Sequence, residues 1–147
     1  MCDPFRAIRQ MQKWAIRTIT CSKKRDHTSP LFKKLELLKP NESYLYFVTL
    51  LMYKYHHSTV PQVVQNLFVR NSTIHEYPTR KILHVPKPSS DLSARHTRIT
   101  GVKLYNHFAR VLNWDVFYVT FKFNVKKYLL ENDISKLWKY VNKPSDR

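Results

Sequence analysis

The sequence predicts a mainly α fold, a small helical domain with a short β-hairpin or extended connector around residues 80–100. Three observations lead there. Apolar residues recur at three- and four-residue spacing in several windows. A capping residue followed by proline opens two of them, at Asp3-Pro4 and Ser29-Pro30. Pro78, Pro86 and Pro88, with Ser89-Ser90-Asp91, break the pattern once, as a connector would. With 147 residues and 17.7 kDa, a single domain over 1–147 is expected. It divides into a helical core at about 4–68, an irregular connector at about 70–98 and C-terminal helices at about 101–141.

After Asp3-Pro4, the residues Phe5, Ile8, Met11 or Gln12, Ala15 and Ile19 form an apolar stripe. Arg6, Arg9, Lys13 and Arg17 run along a neighbouring face. That arrangement predicts packing on one side and phosphate contact on the other, the alternative being a solvated charged face. Ser29-Pro30 opens a short helix, Leu31 to Leu38, which Pro40 stops. Asn41 then caps the strongest helix, about Glu42 to His57. Its Tyr44, Leu45, Phe47, Val48, Leu51, Met52 and Tyr55 cover over half the circumference, which predicts a buried central helix. His56-His57 falls at its C-terminus, where the partial negative charge favours imidazolium. Pro61 opens another short helix through Phe68.

In the connector, short extended pieces at Lys81–Val85 and Arg95–Thr100 are expected to pair as a small hairpin. A helix follows from Gly101 to about Arg110. Phe117, Val119, Phe121, Phe123 and Val125 alternate as a strand does, yet Phe117, Phe121, Val125 and Leu129 also fit one helical face. Local alternation leans to strand. Asp133 caps a last helix, Ile134 to Val141.

The formal net charge is +16, from 26 basic and 10 acidic residues. Residues 1–39 carry ten basic and three acidic groups, residues 40–78 two of each, residues 79–110 seven and one, and residues 111–147 seven and four. A neutral, aromatic-rich middle therefore lies between basic flanks, as expected of a core surrounded by segments that face a polyanion. The bland alternative is a basic surface kept for solubility. With 43% hydrophobic residues, the chain is too apolar for a disordered basic tail.

Several functions are excluded or disfavoured. One glycine cannot supply a GxGxxG fingerprint or a P-loop. Cys2 and Cys21 cannot build a disulfide framework or a four-cysteine zinc site, and no ligand spacing joins Cys21 to His27, His56, His57, His75 or His84. No cofactor and no metal are expected, and no nucleophile–base set is legible. The apolar-leaning run Tyr44 to Tyr55 is about half of what a bilayer needs. The N-terminus has no apolar stretch of the signal-peptide kind, so an intracellular protein of nucleus or cytoplasm, not secreted and without membrane contact, is expected. The sequons at Asn41 and Asn71 then read as chance, and Lys23-Lys24-Arg25 is too short for an import signal.

Six segments in order resemble the C-terminal, post-polymerase region of non-LTR (LINE, jockey-like) retrotransposon reverse transcriptases. Met11-Gln12-Lys13-Trp14-Ala15-Ile16-Arg17-Thr18-Ile19-Thr20 is similar to the family's Leu-Gln-Lys-x-Ala-Ile-Arg-x-Ile-Thr. His27-Thr28-Ser29-Pro30-Leu31-Phe32-Lys33-Lys34-Leu35 is similar to His-Thr-x-Pro-Leu-Phe-Lys-x-Leu, and Met52-Tyr53-Lys54-Tyr55-His56 to Met-Tyr-Lys-Tyr-His. Ile74-His75, Thr79-Arg80 and His84-Val85-Pro86 follow. Gly101-Val102-Lys103-Leu104-Tyr105-Asn106 resembles Gly-Pro-Lys-Leu-Trp-Asn, and Lys126-Lys127-Tyr128-Leu129-Leu130 the closing motif. The resemblance covers about residues 4 to 132. It departs at Val102, Tyr105 and Pro78, where the family has proline, tryptophan and asparagine. It also tips residues 116–131 to helix.

The resemblance implies a fragment of a transposable-element polyprotein whose parent is an RNA-directed DNA polymerase. This region follows the polymerase domain and is not itself catalytic. Polymerisation needs paired aspartates holding two metal ions, and no two of the six aspartates here are adjacent. The expectation is therefore a non-enzymatic module that contacts nucleic acid, RNA or DNA, without regard to sequence. The residues expected to meet phosphate are Arg6, Arg9, Lys13, Arg17, Lys23, Lys24 and Arg25, with Arg80, Lys81, Arg95, Arg98 and Lys103. Trp14 and Tyr105 are placed either to stack on unpaired bases or to pack. The alternatives are a structural docking module for the parent polymerase domain and a decayed, truncated copy with no function.

Overall fold

The computed structural model describes residues 6–74, 76, 81–90, 93, 96–132 and 134–142. The caps at Asp3 and Asp133, and Phe5 of the apolar stripe, lie outside them. The fold is mainly helical. Among the described residues seven α-helices run in the order α1 Arg6–Ile19, α2 Thr28–Lys34, α3 Pro40–His56, α4 Gln62–Gln65, α5 Thr97–Phe108, α6 Tyr118–Glu131 and α7 Ile134–Asn142. None is long and apolar enough to cross a membrane.

The helix at the centre is α3. Pro40 opens it at the first turn, where its missing N–H costs nothing. Lys39 is the capping residue, not Asn41. The Glu42 carboxylate accepts hydrogen bonds from the Lys39 backbone N–H at 2.8 Å and from its ammonium at 3.2 Å, and so closes the start. Leu45, Val48, Leu50, Met52 and Tyr53 are buried, while Phe47, expected inside, is exposed. Against α3 pack α5 and α6, and α7 closes over α5. Val102, Leu104 and Phe108 of α5, Phe121, Val125 and Leu129 of α6, and Leu137 and Val141 of α7 complete one core. Each such side chain contributes about 1.5–3 kcal/mol by leaving water. Residues 118–131 are helical, because the four-residue spacing of Phe121, Val125 and Leu129 meets the core while Val119 and Phe123 stay outside.

At the crossing of α3 and α5 stands Gly101. A Cβ placed there would lie 2.8 Å from Met52 Sδ. Elsewhere the chain manages without glycine. Cys21, Glu36 and Ser58 take the left-handed conformation just past α1, α2 and α3. Each closes the same pair of bonds, for example Ser58 N–H to the Tyr55 carbonyl at 3.0 Å and Thr59 N–H to that of Lys54 at 2.9 Å. The turn at Glu36 ends α2 before Leu38, its expected end.

The expected hairpin does not form among the described residues. Residues 97–100 are helical, with the His96 ring accepting from the Arg98 N–H, and Ile99 and Thr100 are buried. Leu83 instead makes an isolated antiparallel bridge with Arg70. The Asn106 side chain holds this bridge to α5. Its oxygen accepts from the N–H groups of Ile82 and Leu83, and its amide donates to the Leu83 carbonyl at 2.8 Å.

Two substitutions of opposite sign test these backbone assignments. Ser58→Gly is expected to raise unfolding stability by about 0.5–1 kcal/mol by relieving the left-handed strain. Gly101→Val is expected to lower it by about 1–3 kcal/mol by overpacking against Met52. Urea denaturation followed by circular dichroism measures both.

Candidate nucleic-acid interface

The basic face of α1 follows from residue spacing. Arg6, Arg9, Lys13 and Arg17 lie within about 80° of arc at 100° per residue. With Gln10 and Trp14 they line a shallow concavity of about 380 Å³. Three contacts anchor the helix. Gln12 donates to the Leu38 carbonyl at 2.9 Å, the Arg9 guanidinium reaches Asn41 Oδ1 at 3.5 Å, and Ile16 is buried where α1 packs on α2. The line of contact therefore runs between the apolar and basic stripes, not down the apolar one. Ile8, Met11 and Ile19 face outward, with Met11 71% and Ile19 67% exposed.

In the turn after α1, Lys23, Lys24 and Arg25 are exposed. Asp26 is the acidic residue of this turn, and its carboxylate accepts from the Lys23 backbone N–H at 2.8 Å. The Arg17 guanidinium grips the Asp26 backbone carbonyl at 3.0 Å rather than the carboxylate. Among the described residues no carboxylate lies within ion-pair reach of Arg6, Lys13, Arg17, Lys23, Lys24 or Arg25. Seven cations thus share one helix and its following turn.

The described members of the second set do not repeat that arrangement. Arg80 and Arg95 lie outside the described residues. Lys81 and Arg98 are exposed, with Arg98 Nε donating to the Leu67 carbonyl at 2.9 Å. Lys103 is buried, contrary to its expected role on phosphate. Its ammonium donates to the Val141 carbonyl at 3.0 Å, at the C-terminus of α7, where the helix dipole favours a cation. Burial pushes it below the usual lysine value, and the charge of Lys81 adds to that shift. Tyr105 is also buried, its hydroxyl 2.7 Å from His56 Nδ1, so it packs rather than stacks on a ligand. Burial raises its pKa, Arg70 opposes that shift, and Tyr55 and Asp115 add to it. His57 Nε2 lies 2.9 Å from the Trp114 carbonyl, so His56 ties the end of α3 to α5 and His57 ties it to the segment after α5.

Sequence spacing missed a second groove. Arg9 also borders a depression of about 610 Å³ between α2, the start of α3 and the α6–α7 junction, with Lys33, Lys39, Lys139 and Trp138 on its walls. Glu42 and Glu131 line it too, but Lys39 and Lys127 pair with them at 3.2 and 3.9 Å. The cations come from segments as far apart as Arg9 and Lys139, and no local pattern announces them. Among the described residues no three His, Cys, Asp or Glu side chains gather to hold a metal ion. Comparison with protein-family models, curated proteins and solved structures found no match.

Outside this face, His107 Nε2 is buried without a hydrogen-bond partner among the described residues, and burial lowers its pKa from 6.5. The unfolded chain therefore binds the proton more readily. Stability contributed by the neutral ring is whole above about pH 6.5 and is lost as pH falls through the lower native value. The melting temperature is expected to drop over that acid range, and His107→Phe to flatten this part of the profile.

Proposed function

We propose that this chain is the non-catalytic C-terminal region of a LINE-type retrotransposon reverse transcriptase polyprotein. In this reading it holds RNA or DNA through phosphate contacts of α1 and the turn that follows. The supporting observation is the run of cations from Arg6 to Arg25 with no carboxylate paired to Arg6, Lys13, Arg17 or the Lys23–Arg25 triplet among the described residues. The six ordered motif segments supply the family part of the reading. Cations lining an open surface exchange their counterions for phosphate, which favours binding without regard to base identity.

The structural docking reading has one observation in its favour, the outward apolar arc of Ile8, Met11 and Ile19. A partner covering that arc leaves the cationic arc of α1 open, so the two readings are compatible.

Filter binding across a salt series is the test. If six to ten phosphates are met, affinity falls by about 10³–10⁵ between about 50 and 200 mM salt. Replacing Arg6, Lys13 and Arg17 together by alanine is expected to lower the log–log slope by about 2–3. Lys103→Met, which removes a buried cation, is expected to change the melting temperature and leave the slope unaltered. A flat salt response in the wild-type chain would remove the proposal.

A further inference from the structure

We infer that the strand met by α1 is single-stranded, and that Trp14 is the platform on which one of its unpaired bases stacks. The inference rests on the nucleic-acid reading of α1 and deepens it. Trp14 is 64% exposed, whereas Trp114 is buried and Trp138 is half-buried with its ring edge against Tyr44. Among the described residues no ring packs on Trp14 and no acceptor meets its indole N–H. An exposed indole keeps a large flat apolar face in water, and a flat stacking partner removes that face from water.

Its position selects the partner. Around the α1 axis Trp14 lies about 40° from Gln10 and about 60° from Arg17, on the edge of the cationic arc. Every cation of α1 is on one side of the ring, and Met11, Ala15 and Ile8 are on the other. The same concavity is walled by Arg6, Arg9, Lys13, Arg17, Gln10 and Trp14. Arg6 to Arg17 spans about 16 Å along the helix. A backbone laid along the cations therefore brings its bases against the indole. In a duplex the base faces are hidden in the stack, and Trp14 has nothing to cover. An unpaired base offers a face of any identity, and Gln10 offers a donor and an acceptor to its edge. A bilayer suits the geometry less well. With the arc of Met11, Ala15, Ile8 and Ile19 turned to the lipid, the cations, centred about 160° away around the helix, would face away from the headgroups.

The experiment follows intrinsic tryptophan emission of the full chain during titration with an oligothymidylate of about 15 nucleotides, with a duplex of equal length, and with anionic phospholipid vesicles. The expected result is quenching by the single strand, tighter binding of it than of the duplex, and a loss of about 10- to 100-fold in single-strand affinity for Trp14→Ala. Trp14→Phe should recover most of that loss. Both variants should keep the wild-type salt slope and circular dichroism, since the ring is exposed and contacts no phosphate. Salt-dependent binding with unquenched emission and equal affinity for the duplex would overturn the stacking role while leaving the phosphate reading standing. Absence of binding to either nucleic acid would overturn both. A blue shift with vesicles, and none of the quenching with oligothymidylate, would reassign the face to a lipid surface.

Discussion

Where α3 and α5 cross, Met52 Sδ occupies the space that any side chain at position 101 would need. The backbones approach this closely because the chain's single glycine stands at the contact. From that crossing, four successive residues of α5 each hold a different part of the molecule. Lys103 reaches the end of α7, Leu104 fills the core, Tyr105 meets His56 of α3, and Asn106 pins the bridge at Leu83. Successive residues point about 100° apart around a helix, so such a run engages neighbours on all sides. The segment Gly101 to Asn106, which carries one of the motif likenesses, is thus a structural hub.

The cationic face lies away from that hub. Ile16 and Phe32 are buried outside the main core cluster, where α1 packs on α2. The helix is held by this contact, by Gln12 on the Leu38 carbonyl and by Arg9 on Asn41. The cationic surface and the hydrophobic core are therefore separable. Charge can be removed from α1 without opening the interior, whereas loss of charge at Lys103 strikes the packing of α5 on α7. Net charge and its distribution describe solubility and association but treat these lysines alike. Burial distinguishes them.

Much of the helical content was legible because it depends on local rules. The sequence pattern offers Asn41 as the cap where Lys39 is one, since Pro40 looks equally like a stop and a first-turn residue until the chain direction on either side is known. The hairpin failed for a different reason. An extended pair needs two strands that meet, and Leu83 met Arg70 while residues 97–100 joined α5. The candidate site was half legible. Arg6, Arg9, Lys13 and Arg17 share a face by periodicity alone, but Lys33, Lys39 and Lys139 approach Arg9 only through the fold.

By itself the sequence determined the helical class, the central place of α3, the basic arc of α1 and the lack of glycine-built phosphate loops. These follow from spacing, composition and the stereochemistry of one residue relative to its near neighbours. Tertiary structure decided which side of α1 is buried, that residues 118–131 form a helix despite their alternation, that Lys103 and Tyr105 turn inward, and that Trp14 stays outside. Each of those outcomes depends on which distant surface a side chain meets, and removal from water, not local pattern, sets its energy.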